Sequence, residues 1–204
     1  MKEVVLGLLA LFILFAGCPQ QSQEEGGGNV SGKVVMIIAP TDFRDEELFD
    51  TKSTLEAKGL KVFVASTSKS QATGMLGGTI TPTLLVSEVN IRDYNAVVFV
   101  GGNGVETHAL YENDDVVSLA REAQAQGKIV AAICIAPRIL ASAGVVNGKK
   151  VTCFPDDTTI SMLEEAGANY TAASVQVDGK LITADGPRSA KEFGKKIAEA
   201  ISAG

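Results

Sequence analysis

KIVAAICIAPRILASAG, residues 128–144, decides how this chain folds. Its first six residues, Lys128–Ile133, form a short apolar, β-branched run, which reads as a strand buried on both faces. The run passes directly into Cys134. Pro137 then sits in the first turn of a helix, and Gly144 stops it. Strand, cysteine and helix in immediate succession put one side chain at the top of a sheet, above the start of a helix. Backbone N–H groups and the helix dipole at that point favour a thiolate, so Cys134 is expected to have a lowered pKa. A buried structural cysteine would occupy the same turn, and spacing alone does not choose between the two.

The same alternation extends outward in both directions. KVVMIIA (Lys33–Ala39) is a buried strand, and residues 45–59 form a helix closed by Gly59, with Leu48, Phe49 and Leu55 on one face. LKVFVAS is a second strand, and residues 74–83 read as a hairpin or irregular excursion. Asn95–Val100 is a strand ending in GGNG. Asp114–Gln126 is a helix closed by Gly127, and Asp156–Ala166 is another. VQVDGKLIT (residues 175–183) is a hairpin with a DG turn, and Pro187 opens a last helix over Ser189–Ser202. Repeated βα units predict an α/β domain over residues 33–204, with a doubly wound, mostly parallel sheet and helices on both faces.

Composition narrows the function. The chain has 204 residues, 46% hydrophobic and 21% charged, the profile of a globular protein rather than a disordered one. Its formal net charge of −6 leaves no basic stripe for phosphates, so nucleic acid is not an expected partner. A single histidine excludes a multi-histidine zinc site and any mechanism needing two imidazoles. Three cysteines without CxxC spacing give neither a disulfide scaffold nor a zinc knuckle. No metal and no cofactor is expected.

The N-terminus reads as an export signal. Val4–Ala16 is an unbroken apolar run of 13 residues, shorter than the ~20 needed to span a bilayer but suited to a signal h-region. LFAGC (Leu14–Cys18) resembles a prokaryotic lipoprotein box, which implies cleavage after residue 17 and lipidation of Cys18. Residues 18–32 are polar and Gly-rich, as a flexible tether is. The expectation is an exported protein held by lipid to the outer face of the cytoplasmic membrane. A plain signal peptide and an uncleaved anchor helix are the alternatives.

Glu47 is a candidate partner for Cys134. It lies on the first helix, just after the first strand, and so projects toward the same sheet edge. A buried, protonated Glu47 would donate a hydrogen bond to a thiolate; an exposed helical charge, as expected for Glu46, is the plainer reading. Here a resemblance enters. DFRDEELFDTKSTLEAKG, VVFVGGNG, VAAICIAPRILASAG, GKKVTCFPD and VDGKLITADGPRSAKEFGKKIAEAI, in this order, resemble the ThiJ/PfpI superfamily. That superfamily includes the parkinsonism-associated protein deglycase and the PfpI-type intracellular proteases. The resemblance covers residues 33–204 and implies a flavodoxin-like fold and a homodimer. It makes Cys134 the elbow cysteine, Glu47 its carboxylic partner, and the backbone N–H groups of Gly102 and Ile135 an oxyanion hole. Asn103, Cys153, Pro187 and Arg188 are then candidates for the pocket. Cys153 is a possible resolving thiol, and Arg188 a possible contact for an anionic substrate.

The departures are equally informative. Ile135 and Phe154 stand at the two places where relatives keep a histidine, and Ala136 replaces a glycine. Only His108 could complete a Cys–His dyad. Glutamine amidotransferase chemistry is excluded, because no histidine follows Cys134. Two functions remain nearly level: an enzyme acting on small reactive carbonyls, of the glyoxalase or deglycase type, and an oxidant-sensing or holdase-type stress protein. A cysteine peptidase is disfavoured by the missing imidazole.

Overall fold

The computed structural model describes residues 31–204; the signal segment, Cys18 and nearly all of the tether lie outside them. Among the described residues no helix is long and apolar enough to cross a membrane. In chain order the elements are β1 (Lys33–Ile38), β2 (Thr41–Phe43), α1 (Asp45–Ala57), β3 (Lys61–Ser66), β4 (Ala72–Gly74) and β5 (Thr79–Ile80). Then come β6 (Leu84–Leu85), β7 (Ala96–Phe99), α2 (Gly104–Thr107), α3 (Asp114–Ala125), β8 (Ile129–Ile133), α4 (Pro137–Ser142) and β9 (Lys150–Val151). The chain closes with α5 (Asp157–Glu165), β10 (Asn169–Tyr170), β11 (Val175–Asp178), β12 (Leu181–Ala184) and α6 (Ala190–Ala203).

Seven strands form the central sheet in the order β11-β12-β8-β7-β1-β3-β6. Every pairing in it is parallel except the β11–β12 hairpin. β1, β7 and β8 are almost wholly apolar because helices cover both their faces. Leu48, Leu55, Phe193 and Ile197 of α1 and α6 build the core on one face. Val116, Leu119, Ile139 and Leu163 of α3, α4 and α5 build it on the other. This is the doubly wound sheet that the alternating pattern predicts, in the flavodoxin-like form that the resemblance implies. Helix starts follow local chemistry: the Asn113 side chain accepts from Val116 N–H at 3.2 Å, and Asp156 from Thr159 N–H at 2.9 Å.

The topology fixes the site. From β1 the chain winds outward through α1 to β3; from β7 it winds the other way through α3 to β8. The order reverses between β1 and β7, and such a switch point opens a crevice at the carboxyl ends of the strands. Glu47 follows β1, Gly101 and Gly102 follow β7, and Cys134 follows β8.

Candidate functional site

Cys134 sits at φ +63°, a left-handed conformation in a residue other than glycine. Such a backbone costs on the order of 1–2 kcal/mol and persists only when its surroundings hold it. Here both sides do. Cys134 N–H donates to Ala184 O at 2.9 Å, and Phe154 N–H donates to Cys134 O at 2.8 Å. The sharp turn lifts the thiol out of the strand and over the cleft.

Glu47 lies in the first turn of α1, whose three opening residues Asp45, Glu46 and Glu47 are all acidic and match the helix dipole. The three diverge in role. Glu46 turns outward and takes Arg44 Nε at 2.7 Å and Nη2 at 3.0 Å. Asp45 reaches across to the β4–β5 hairpin, accepting from Leu76 N–H and Gly78 N–H at 2.7 Å each. Glu47 turns inward, is fully buried, and accepts Gly101 N–H at 2.9 Å through Oε2. Its Oε1 is buried without a hydrogen-bond partner of full geometry. The carboxyl lies beside the Cys134 thiol, close enough for each group to shift the other's titration.

The electrostatics follow from burial. Desolvation raises the Glu47 pKa to about 7, against the opposing pull of the Cys134 thiol, Gly101 N–H and the Arg44 charge. Desolvation also raises the Cys134 thiol, with the Glu47 charge adding to it, while Gly102 and Ile135 N–H groups pull it down. The expected low-pKa thiol is therefore corrected. Cys134 is partly buried, and α4 behind it is only 6 residues long. In the pair, the carboxyl gives up its proton before the sulfur does.

Gly102 and Ile135 present their N–H groups to the thiol region. The cleft has a volume of about 260 Å³ and is lined by Arg44, Glu47, Met75, Gly102, Asn103, Cys134, Ile135, Phe154 and Pro187. Asn103 and Pro187 are among these lining residues. Arg188 and Cys153 are not, and both expectations are corrected. Arg188 is exposed, because successive residues of the 3₁₀ turn Pro187–Ser189 point apart and Pro187 takes the rim. Cys153 is buried in the core on the opposite sheet face from the one Cys134 packs against. Burial and the Asp156 charge push its thiol up to about 12. The single histidine, His108, is engaged through Nε2 with Thr41 Oγ1 at 2.8 Å and is not among the cleft-lining residues. Among the described residues no group of His, Cys, Asp or Glu is arranged to hold a metal ion.

Arg44 and Met75 were not singled out from the sequence. Arg44 lies inside the DFRDEEL motif. Met75 comes from a hairpin tied to α1 through Asp45, whose contacts lie more than 30 residues away in the chain and are announced by no local pattern.

With this geometry in hand, known proteins give a consistent picture. A family model described as DJ-1/PfpI family matches residues 32–200. The chain belongs to the DJ-1/PfpI family. A Methanocaldococcus jannaschii protein described only as uncharacterized is 42% identical over 201 residues, covering 98% of each chain. A deglycase of Pyrococcus horikoshii is 35% identical over 156 residues, 75% of this chain and 90% of the relative. A glutathione-independent glyoxalase of Caenorhabditis elegans is 28% identical over 167 residues, covering 82% and 87%. Among solved structures, a ThiJ/PfpI domain protein from Brachyspira murdochii matches with TM-score 0.80 at 34% identity, covering 84% of this chain and 96% of the other.

Proposed function

We propose that this DJ-1/PfpI protein is a cysteine-dependent enzyme acting on small reactive carbonyls, 2-oxoaldehydes in particular. The observation that carries the reading is the fully buried Glu47 carboxyl beside Cys134, titrating near neutral pH at the floor of an open cleft. A general base is most effective when its pKa lies near the working pH. The deglycase and glyoxalase names of relatives support the same chemistry.

Once Glu47 is ionised, the remaining proton rests on sulfur. As the sulfur attacks the aldehyde carbon, an S–C bond forms and the carbonyl π pair moves to oxygen, facing the Gly102 and Ile135 N–H groups. The thiol proton passes to Glu47 and from there to that oxygen, giving a hemithioacetal. Glu47 then removes the C–H proton of the same carbon, and the electrons flow into the neighbouring carbonyl to form an enediol. Reprotonation at the neighbouring carbon gives a thioester, and water releases a 2-hydroxy acid and restores the thiol. No histidine is needed at any step.

The deglycase and glyoxalase names of relatives favour this reading over an oxidant sensor. His108, held by Thr41, gives no Cys–His dyad and so no support for a peptidase. The proposal is tested by lactate formation from methylglyoxal, expected in the wild type and lost in Cys134→Ala.

We also propose that the mature protein is lipidated at Cys18 and tethered outside the cytoplasmic membrane, on the strength of the LFAGC box and the polar segment behind it. One acyl chain anchors only marginally, so a two-chain lipid is expected. Cell fractionation decides this: Cys18→Ser should move the protein out of the membrane fraction. Wild type and variant both soluble in the cytoplasm would contradict it.

A further inference from the structure

Away from the reacting groups, the wall of the cleft is apolar. Met75, Ile135, Phe154 and Pro187 form it, and the polar members are Arg44 and Asn103. Arg44 pairs through Nε and Nη2 with Glu46, which partly neutralises its charge at the cleft. Large exposed apolar side chains are few among the described residues: Leu76 at 62%, Phe154 at 45% and Val177 at 42%. One of these three, Phe154, stands in the wall of this cleft. Leaving such a ring in water is unfavourable, and its place beside Met75, Ile135 and Pro187 at a reactive centre marks a surface that an apolar ligand covers.

The wall is also anchored to the backbone that holds the nucleophile. Phe154 N–H donates to Cys134 O at 2.8 Å, so the ring and the thiol share one rigid corner. Met75 N–H donates to Phe43 O at 2.9 Å, and Asp45 holds the N–H groups of Leu76 and Gly78 on the same hairpin. A carbonyl carbon placed at the sulfur, with its oxygen toward Gly102 and Ile135, leaves its substituent to run along Met75, Phe154 and Pro187.

We infer that the cleft selects carbonyl compounds carrying an apolar alkyl substituent longer than methyl, with Phe154 and Met75 as the residues that read it. The inference rests on the carbonyl-processing reading and narrows it from 2-oxoaldehydes in general to alkyl 2-oxoaldehydes.

The test is a substrate series on the full-length protein: glyoxal, methylglyoxal, propylglyoxal and pentylglyoxal. kcat/KM is expected to rise roughly 3–4-fold per added methylene, the transfer value of a buried CH₂, until the wall is covered. Phe154→Ser should lower the pentyl-to-methyl ratio by about tenfold, and Phe154→Leu should restore most of it. A flat or falling series in the wild type overturns the inference and leaves the general activity standing. Should none of the series turn over, protection of Cys134 from iodoacetamide by straight-chain alkanals reads the cleft independently. Protection that grows with chain length then upholds the cleft assignment and refutes the activity; equal protection along the series overturns the inference.

Discussion

Glu47→Gln is expected to lower kcat/KM for methylglyoxal on the order of 10²–10⁴-fold, the usual contribution of a positioned general base. The same substitution should stabilise the fold at alkaline pH. A glutamine can accept Gly101 N–H through its oxygen and offer its amide toward the thiol, so it imitates the protonated acid without ever ionising. The sign follows from the shift. The folded-state pKa of Glu47 is raised from 4.5 to about 7, so the folded protein holds this proton more tightly than the unfolded chain. Its destabilising effect is absent below pH 4.5, grows as pH rises, and is complete above about pH 7, where it reaches about 3 kcal/mol. Denaturant melts of wild type and Glu47→Gln should therefore coincide at about pH 4 and separate by up to that amount at about pH 8. Equal stability at both pH values would mean that the carboxyl is not held in a desolvated site.

Gly102→Ala should be the most damaging single-methyl substitution at the site. Gly102 has φ +104°, and a Cβ there would meet Arg44 N and Asp42 O at 2.4 Å each, both backbone atoms with no room to yield. A loss on the order of 3 kcal/mol is expected, or roughly 6–12 °C in Tm for a domain of this size. Activity should fall further than stability explains, because Gly102 supplies one of the two N–H groups facing the reacting atoms. Gly144→Ala is the control. It also has positive φ, at +69°, but nothing lies within 4 Å of the new methyl, so it should cost only about 1 kcal/mol. Comparable losses in the two variants would show that backbone conformation alone, not packing at the switch point, governs Gly102.

Much of this was legible in the chain itself. Strands such as Ala96–Phe99 and Ile129–Ile133 announce themselves because both faces are buried, so every residue is apolar. Cys134 was legible because strand, cysteine and helix follow without a gap, and Glu47 because it opens the helix after the first strand. The short pieces were not. β2, β6, β9 and β10 have only 2 or 3 residues each and carry no period. They exist because longer elements hold them in place. The state of the thiol escaped for a related reason. A helix start can be read locally, but Cys134 is surrounded by Glu47, Gly101 and Ala184, each more than 30 residues away in the chain. The roles of Arg44 and Asp45 likewise depend on which way neighbouring residues of one helical turn face. That is settled by the β4–β5 hairpin rather than by the DFRDEEL motif itself.

The central claim is that Cys134 and Glu47 act as one proton-transferring pair on a carbonyl substrate. The most direct measurement is lactate formation from methylglyoxal followed from about pH 5 to about pH 9, for wild type, Cys134→Ala and Glu47→Gln. The wild-type kcat/KM should rise with pH and level off above a midpoint of about 7, where Glu47 becomes the free base. Cys134→Ala should give no turnover, and Glu47→Gln should give a low rate without that midpoint. Turnover that survives in Cys134→Ala, or wild-type protein that forms no lactate above the solvent rate at any pH, would contradict the account.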